Sequence, residues 1–223
     1  MIYIAPSLLA ADFANLENEI KRIKDAGANY LHLDVMDGAF VPNLSFGPDL
    51  IAGIRKCTDM IFDVHLMIKR PERYIDSFVK AGADIITVHY EACENPMSVI
   101  HLIHSYEMKA AIAISPKTPV EHLYPLLGHI DMALIMTVEP GFGGQSLIPE
   151  TLEKVSKLRK YANERGIALD IEVDGGINAK NVGILTSAGA NVIVAGSAIF
   201  KANKPKAVIL EMKETAAQNP FIG

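Results

Sequence analysis

Short, almost uninterrupted apolar runs recur along the chain, separated by longer stretches in which apolar positions return every three to four residues. The runs over 2–6, 30–35, 60–67, 85–89, 109–114, 132–138, 170–174 and 192–195 read as strands. Near-continuous hydrophobicity is expected of parallel strands covered on both faces. The stretches over 16–26, 73–81 and 149–165 read as amphipathic helices between them. Asp12 is placed to cap the first helix, and Pro71 and Pro149 stand where a first helical turn tolerates proline.

Three segments repeat one another: Asp25-Ala26-Gly27-Ala28-Asn29, Lys80-Ala81-Gly82-Ala83-Asp84 and Ser187-Ala188-Gly189-Ala190-Asn191, each followed at once by an apolar run. Each looks like a helix that ends on a glycine in the left-handed conformation and turns into a buried strand. The glycines are 55 and then 107 residues apart, close to two and four units of about 27 residues, which is one strand–helix unit. Eight such units predict an α/β protein built as one (β/α)8 barrel over residues 1–223. An open doubly wound sheet would alternate in the same way, but eight even repeats with short links match the barrel. No Gly-x-Gly-x-x-Gly follows the first strand, as a dinucleotide fold would require.

Composition narrows the function. Half of the 223 residues are hydrophobic and the formal net charge is −5, so neither a nucleic-acid groove nor an anionic membrane surface is expected as a partner. A small anionic substrate would need local positive potential from backbone amides or a metal. Cys57 and Cys93 are the only cysteines; their isolation, and a start without a basic, apolar leader, fit a reducing cytoplasm.

Polar residues break the apolar pattern at strand ends, where a barrel keeps its chemistry. His32 and Asp34 share one face of Tyr30-Leu31-His32-Leu33-Asp34-Val35, His65 shares a face with Asp63 in the third run, and Asp174 ends the seventh. If these faces point inward, His32, Asp34, His65 and Asp174 converge on the barrel mouth. Two imidazoles and two carboxylates suit Zn²⁺, Mn²⁺ or Fe²⁺ better than Mg²⁺ or Ca²⁺. Asp63 and Glu172 fall one layer deeper by the same alternation and read as a buried polar network. Gly-rich loops follow the last three strands: Gly141-Phe142-Gly143-Gly144, Gly175-Gly176 and Gly196-Ser197. Such loops let backbone amides approach a phosphate closely. Ser7, just past the first strand, could donate to substrate or simply open the following helix.

These residues carry a resemblance. From APSLLAADF through HLDVMDGAFVPN, DVHLMI and TVEPGFGGQ to EVDGGI and AGSAIF, the chain resembles the ribulose-phosphate 3-epimerase family from end to end. The resemblance implies a TIM barrel of the ribulose-phosphate-binding type, one divalent cation per subunit (Zn²⁺, Fe²⁺ or Mn²⁺) on His32, Asp34, His65 and Asp174, and Asp34 and Asp174 as the acid/base pair. It implies substrate contacts from Ser7, His65, Gly141, Phe142, Gly143, Gly144, Asp174, Gly175, Gly176, Gly196 and Ser197, with Met36, Met67 and Met136 lining the site. It implies a cytoplasmic homo-oligomer, dimer or hexamer, that interconverts D-ribulose 5-phosphate and D-xylulose 5-phosphate in the pentose phosphate pathway. One departure is Ile114-Ser115-Pro116, where the family pattern leads one to expect an Asn-Pro run.

Three rivals differ in what they require. A D-allulose 6-phosphate 3-epimerase would share the chemistry but need a roomier pocket. The related barrel decarboxylases use an Asp-x-Lys-x-x-Asp run, and Asp63-Val64-His65-Leu66-Met67-Ile68 lacks its lysine and second aspartate. A sugar-phosphate sensor would bind without turnover, which sits poorly with an intact acid/base pair.

Overall fold

A computed structural model describes residues 1–222. Strands β1 (Tyr3–Pro6), β2 (Tyr30–Met36), β3 (Ile61–Met67), β4 (Ile85–His89), β5 (Lys109–Ile114), β6 (Met132–Met136), β7 (Asp170–Asp174) and β8 (Val192–Ala195) are all parallel. They pair in the order β1-β8-β7-β6-β5-β4-β3-β2, and a bridge from Ser7 to His32 joins β1 to β2 and closes the ring. The expected strand boundaries hold to within two residues.

Helices α1 (Leu16–Asp25), α2 (Pro48–Arg55), α3 (Ile75–Ala81), α4 (Pro96–Ser105), α5 (Thr151–Glu164), α6 (Val182–Ala188), α7 (Ser197–Phe200) and α8 (Pro205–Gln218) surround the strands. Between β5 and β6 the crossover Val120–His129 is a 3-10 segment instead, with Pro125 inside it. A proline there removes the N–H that an α-helical turn would use and clashes with the preceding turn. Gly27, Gly82 and Gly189 all take positive φ at helix ends, as the repeat predicts. Two details differ from expectation. Asp12 caps the 3-10 turn Phe13–Asn15, accepting from the Ala14 amide at 3.0 Å, and not α1 itself. Pro149 lies just ahead of α5 and not in its first turn, its carbonyl accepting from the Leu152 amide.

Alternation along each strand divides two environments. Leu31, Leu33 and Val35 face outward into the main core, with Ile20 and Ile23 of α1 and Ile51 and Ile54 of α2. Tyr30, Ile85, Ala111, Met132 and Val192 face inward and fill the floor of the barrel. Above that floor the inward layers hold polar side chains on one side and Ala113, Leu134 and Met136 on the other. Among the described residues, no helix is long and apolar enough to cross a membrane.

Candidate active site

Register brings the polar residues together. Across the β2–β3 pair, His32 lies opposite Asp63, Asp34 opposite His65 and Met36 opposite Met67. Across β6–β7, Leu134 lies opposite Glu172 and Met136 opposite Asp174. One nitrogen or oxygen from each of His32, Asp34, His65 and Asp174 falls within 4.8 Å of the others. His32 Nε2 and His65 Nδ1 both approach Asp34 Oδ1, at 3.2 and 3.1 Å, and His32 Nε2 lies 3.9 Å from Asp174 Oδ2. Ser7 Oγ donates to the second oxygen, Asp34 Oδ2, at 2.5 Å.

The layer beneath orients this cluster. His32 Nδ1 is 2.6 Å from Asp63 Oδ2, so its Nε2 is the nitrogen turned to the mouth. Thr87 Oγ1 donates to the other Asp63 oxygen at 3.3 Å. Glu172 lies nearby, fully buried, and neither of its oxygens has a hydrogen-bond partner. A carboxylate is costly in that position, where its Oε1 lies 3.5 Å from His32 Nδ1. Burial, reinforced by the Asp63 charge, pushes its pKa far above the usual carboxylate range.

The two mouth carboxylates are set apart electrostatically. Burial disfavours the Asp34 charge, but the two imidazoles beside it, His32 foremost, outweigh it and hold the carboxyl well below its ordinary pKa. Burial and then the nearby Asp34 charge push Asp174 up to about 7. Burial also disfavours charge on His32, yet Asp34, Asp63 and Glu172 together drive its pKa well up. A cation among these donors would relieve the crowding of two carboxylates in a buried space. The donor set, two imidazole nitrogens and two carboxylate oxygens with the Asp63–His32 bond behind one of them, fits a divalent transition metal or zinc.

Above the cluster a cavity of about 930 Å³ opens at the C-terminal ends of the strands. Its wall includes Ser7, Asp34 and Asp174, the methionines Met36, Met67 and Met136, and the whole 141–144 loop with Phe142 half-exposed. Gly175, Gly176, Gly196 and Ser197 line it too, so all the substrate contacts expected from sequence except His65 are on this wall. His32 and His65 are fully buried beneath this wall and do not line it. The His65 ring is held between Asp34 and His89.

Several residues escape a reading of the sequence. Asn43, in the loop after β2, donates from Nδ2 to the Gly141 carbonyl at 2.9 Å and ties that loop to the glycine-rich one. Lys201 is the one basic side chain among the described residues that line the cavity. His89 ends β4 with its Nε2 2.9 Å from His65 Nε2. Its signal was present, since Thr87 and His89 alternate at a strand end as His32 and Asp34 do.

A closed parallel barrel with imidazoles and carboxylates at its C-terminal mouth defines a (β/α)8 enzyme. Solved barrels share this architecture: KGPDC from Streptococcus mutans superposes with a TM-score of 0.73 at 14% identity, covering 97% of each chain. The 3-hexulose-6-phosphate synthase from Salmonella typhimurium gives 0.71 at 18%, covering 98% of this chain and all of that one. At such identities the likeness is one of fold. The family is settled by sequence: the profile of the Ribulose-phosphate 3 epimerase family matches residues 3–200, and the chain belongs to that family. It is 47% identical to the ribulose-phosphate 3-epimerase of Bacillus subtilis, over 96% of this chain and 99% of that one. It is 48% identical to that of Eremothecium gossypii, over 95% and 91%.

Proposed function

We propose that the protein inverts C3 of D-ribulose 5-phosphate to give D-xylulose 5-phosphate, and the reverse, through a 2,3-enediolate. The observation that carries this reading is the buried His32–Asp34–His65–Asp174 cluster at the base of a cavity rimmed by glycine loops, in a chain of the epimerase family. In this reading one divalent cation, Zn²⁺, Fe²⁺ or Mn²⁺, is held by those four side chains. When bound, it supplies Lewis acidity toward the oxygens at C2 and C3.

The remaining work falls to the chain. Asp34 on β2 and Asp174 on β7 reach the mouth from separate strands, so one can take the C3 proton while the other delivers a proton to the opposite face. Ser7, by donating to Asp34, fixes which carboxylate oxygen is left for other partners. Backbone amides at Gly143, Gly144, Gly196 and Ser197 hold the phosphate, with further substrate contacts from Gly141, Phe142, Gly175 and Gly176. Met36, Met67 and Met136 form an apolar wall that keeps water from the reacting carbon. Residues 1–223 act as one catalytic domain, and family membership supports a cytoplasmic homo-oligomer, dimer or hexamer. The relatives named for the pentulose phosphate favour it over a hexulose phosphate.

Thorough chelation tests the reading: turnover of ribulose 5-phosphate should vanish while the barrel stays folded, and zinc, manganese or iron(II) should restore it better than magnesium. Full turnover by metal-stripped protein would refute it.

A further inference from the structure

Behind His65 lies a second line of polar groups, running from the buried His89 outward to Glu91 at the surface, that no step above uses. His65 Nε2 and His89 Nε2 are 2.9 Å apart, and both rings are fully buried, stacked at a 28° angle with centroids 5.0 Å apart. His89 Nδ1 is 3.2 Å from Glu91 Oε2. Glu91 Oε1 accepts from the Ser115 amide at 2.8 Å and from the Thr118 hydroxyl. Lys154 of α5 donates to the carbonyls of Ser115, Pro116 and Thr118, so the loop that anchors Glu91 is itself clamped.

We propose that His89 and Glu91 are positioning residues for the metal centre, holding His65 in the tautomer whose Nδ1 lone pair faces Asp34 and Asp174. This rests on the metal-binding reading above. Two facing ring nitrogens form a hydrogen bond only if one carries the proton and the other does not. The pair alone does not decide which. Glu91 decides it, because a carboxylate only accepts. His89 must carry its hydrogen on Nδ1 to meet Glu91, which leaves its Nε2 as an acceptor. His65 must then donate from Nε2, and its Nδ1 is left bare, 3.1 Å from Asp34 Oδ1. With the direction reversed, His65 would point an N–H at the cluster and could not act as a ligand. Asp63 does the same for His32 in one step, at 2.6 Å; His65 is served in two. Partners of this kind raise ligand basicity and fix ring orientation.

The substitution Glu91→Gln tests the direction of the chain with little change of shape. The Ser115 amide can donate only to the glutamine oxygen, so the NH₂ faces His89 Nδ1. His89 then becomes an acceptor there, its proton moves to Nε2, and His65 is driven into the wrong tautomer. Metal-stripped protein is titrated with Co²⁺ and followed by its visible absorption, beside the melting temperature of each stripped form. We expect Glu91→Gln to bind Co²⁺ about 10–100-fold more weakly than the parent, with a melting temperature close to the parent's. Glu91→Ala, which leaves the direction to solvent, should lose less affinity. A merely structural Glu91 would give the opposite order, with alanine the more damaged.

Parent-like Co²⁺ affinity in Glu91→Gln, or a larger affinity loss in Glu91→Ala, overturns the positioning chain while leaving the metal centre standing. Failure of the parent protein to bind Co²⁺ would overturn both. Imidazole ¹⁵N shifts of the zinc-loaded parent give a check that needs no variant. A protonated Nε2 on His65 and a protonated Nδ1 on His89 are expected, and the reverse pattern refutes the proposal.

Discussion

At the scale of single residues, the site consists of groups whose roles differ because their surroundings differ. Asp63 and Glu172 occupy the same layer, yet Asp63 bonds His32 at 2.6 Å while Glu172, 3.5 Å from the same nitrogen, makes no hydrogen bond. Asp63→Asn should therefore weaken metal retention about 10–100-fold, because an amide cannot replace the accepting carboxylate without ambiguity. Glu172→Gln alters a carboxyl that makes no hydrogen bond of its own and should leave metal retention and melting temperature near the parent's. Equilibrium dialysis with zinc and thermal melts check the pair. For the mouth itself, Asp174→Asn should lower kcat by roughly 10²–10⁴-fold through loss of a proton carrier, with weaker metal binding adding to the deficit in steady-state assays. His32, Asp34, His65 and Asp174 were legible in the sequence because each interrupts an otherwise apolar strand. His89 does so too, but its meaning depends on Glu91 and on the Ser115 amide, 24 residues further on, and no local pattern carries that.

At the scale of elements, the period of the strand–helix repeat made the barrel readable, and the helix-ending glycines located its joints. What the pattern could not show was the exception at Val120–His129, where apolar spacing suits a helix but Pro125 forces a tighter 3-10 path. Glycine-rich sequence marks the loops without distinguishing why each glycine is there. The structure separates them. At Gly176, φ is +68° and an added Cβ would stand 2.4 Å from the Leu147 amide nitrogen. The Gly143 position has open space and no unusual φ. Gly176→Ala should destabilise the fold by roughly 1–2 kcal/mol from backbone conformation and about 1–3 kcal/mol from the clash. Gly143→Ala should shift stability by no more than about 0.5 kcal/mol and act, if its amide holds phosphate, through a raised KM. Denaturant unfolding and steady-state kinetics on the two variants separate packing from binding.

At the scale of the molecule, the barrel brings together groups that are far apart in sequence: Ser7 from the first unit, Asp34 from the second, His65 from the third and Asp174 from the seventh. Each is inserted from a strand buried on both sides, so the geometry of the mouth is as rigid as the core that supports it. In the proposed reaction Asp34 and Asp174 work from opposite faces of C3, so the hydrogen removed and the hydrogen returned are different ones. A single turnover of ribulose 5-phosphate in D₂O by metal-loaded protein, with xylulose 5-phosphate analysed by mass and NMR, tests this most directly. Because the carboxyl that delivers the proton exchanges with solvent before substrate binds, each product molecule should carry deuterium at C3. Product that retains the original C3 hydrogen would mean that one base serves both faces, and the paired roles of Asp34 and Asp174 would be wrong.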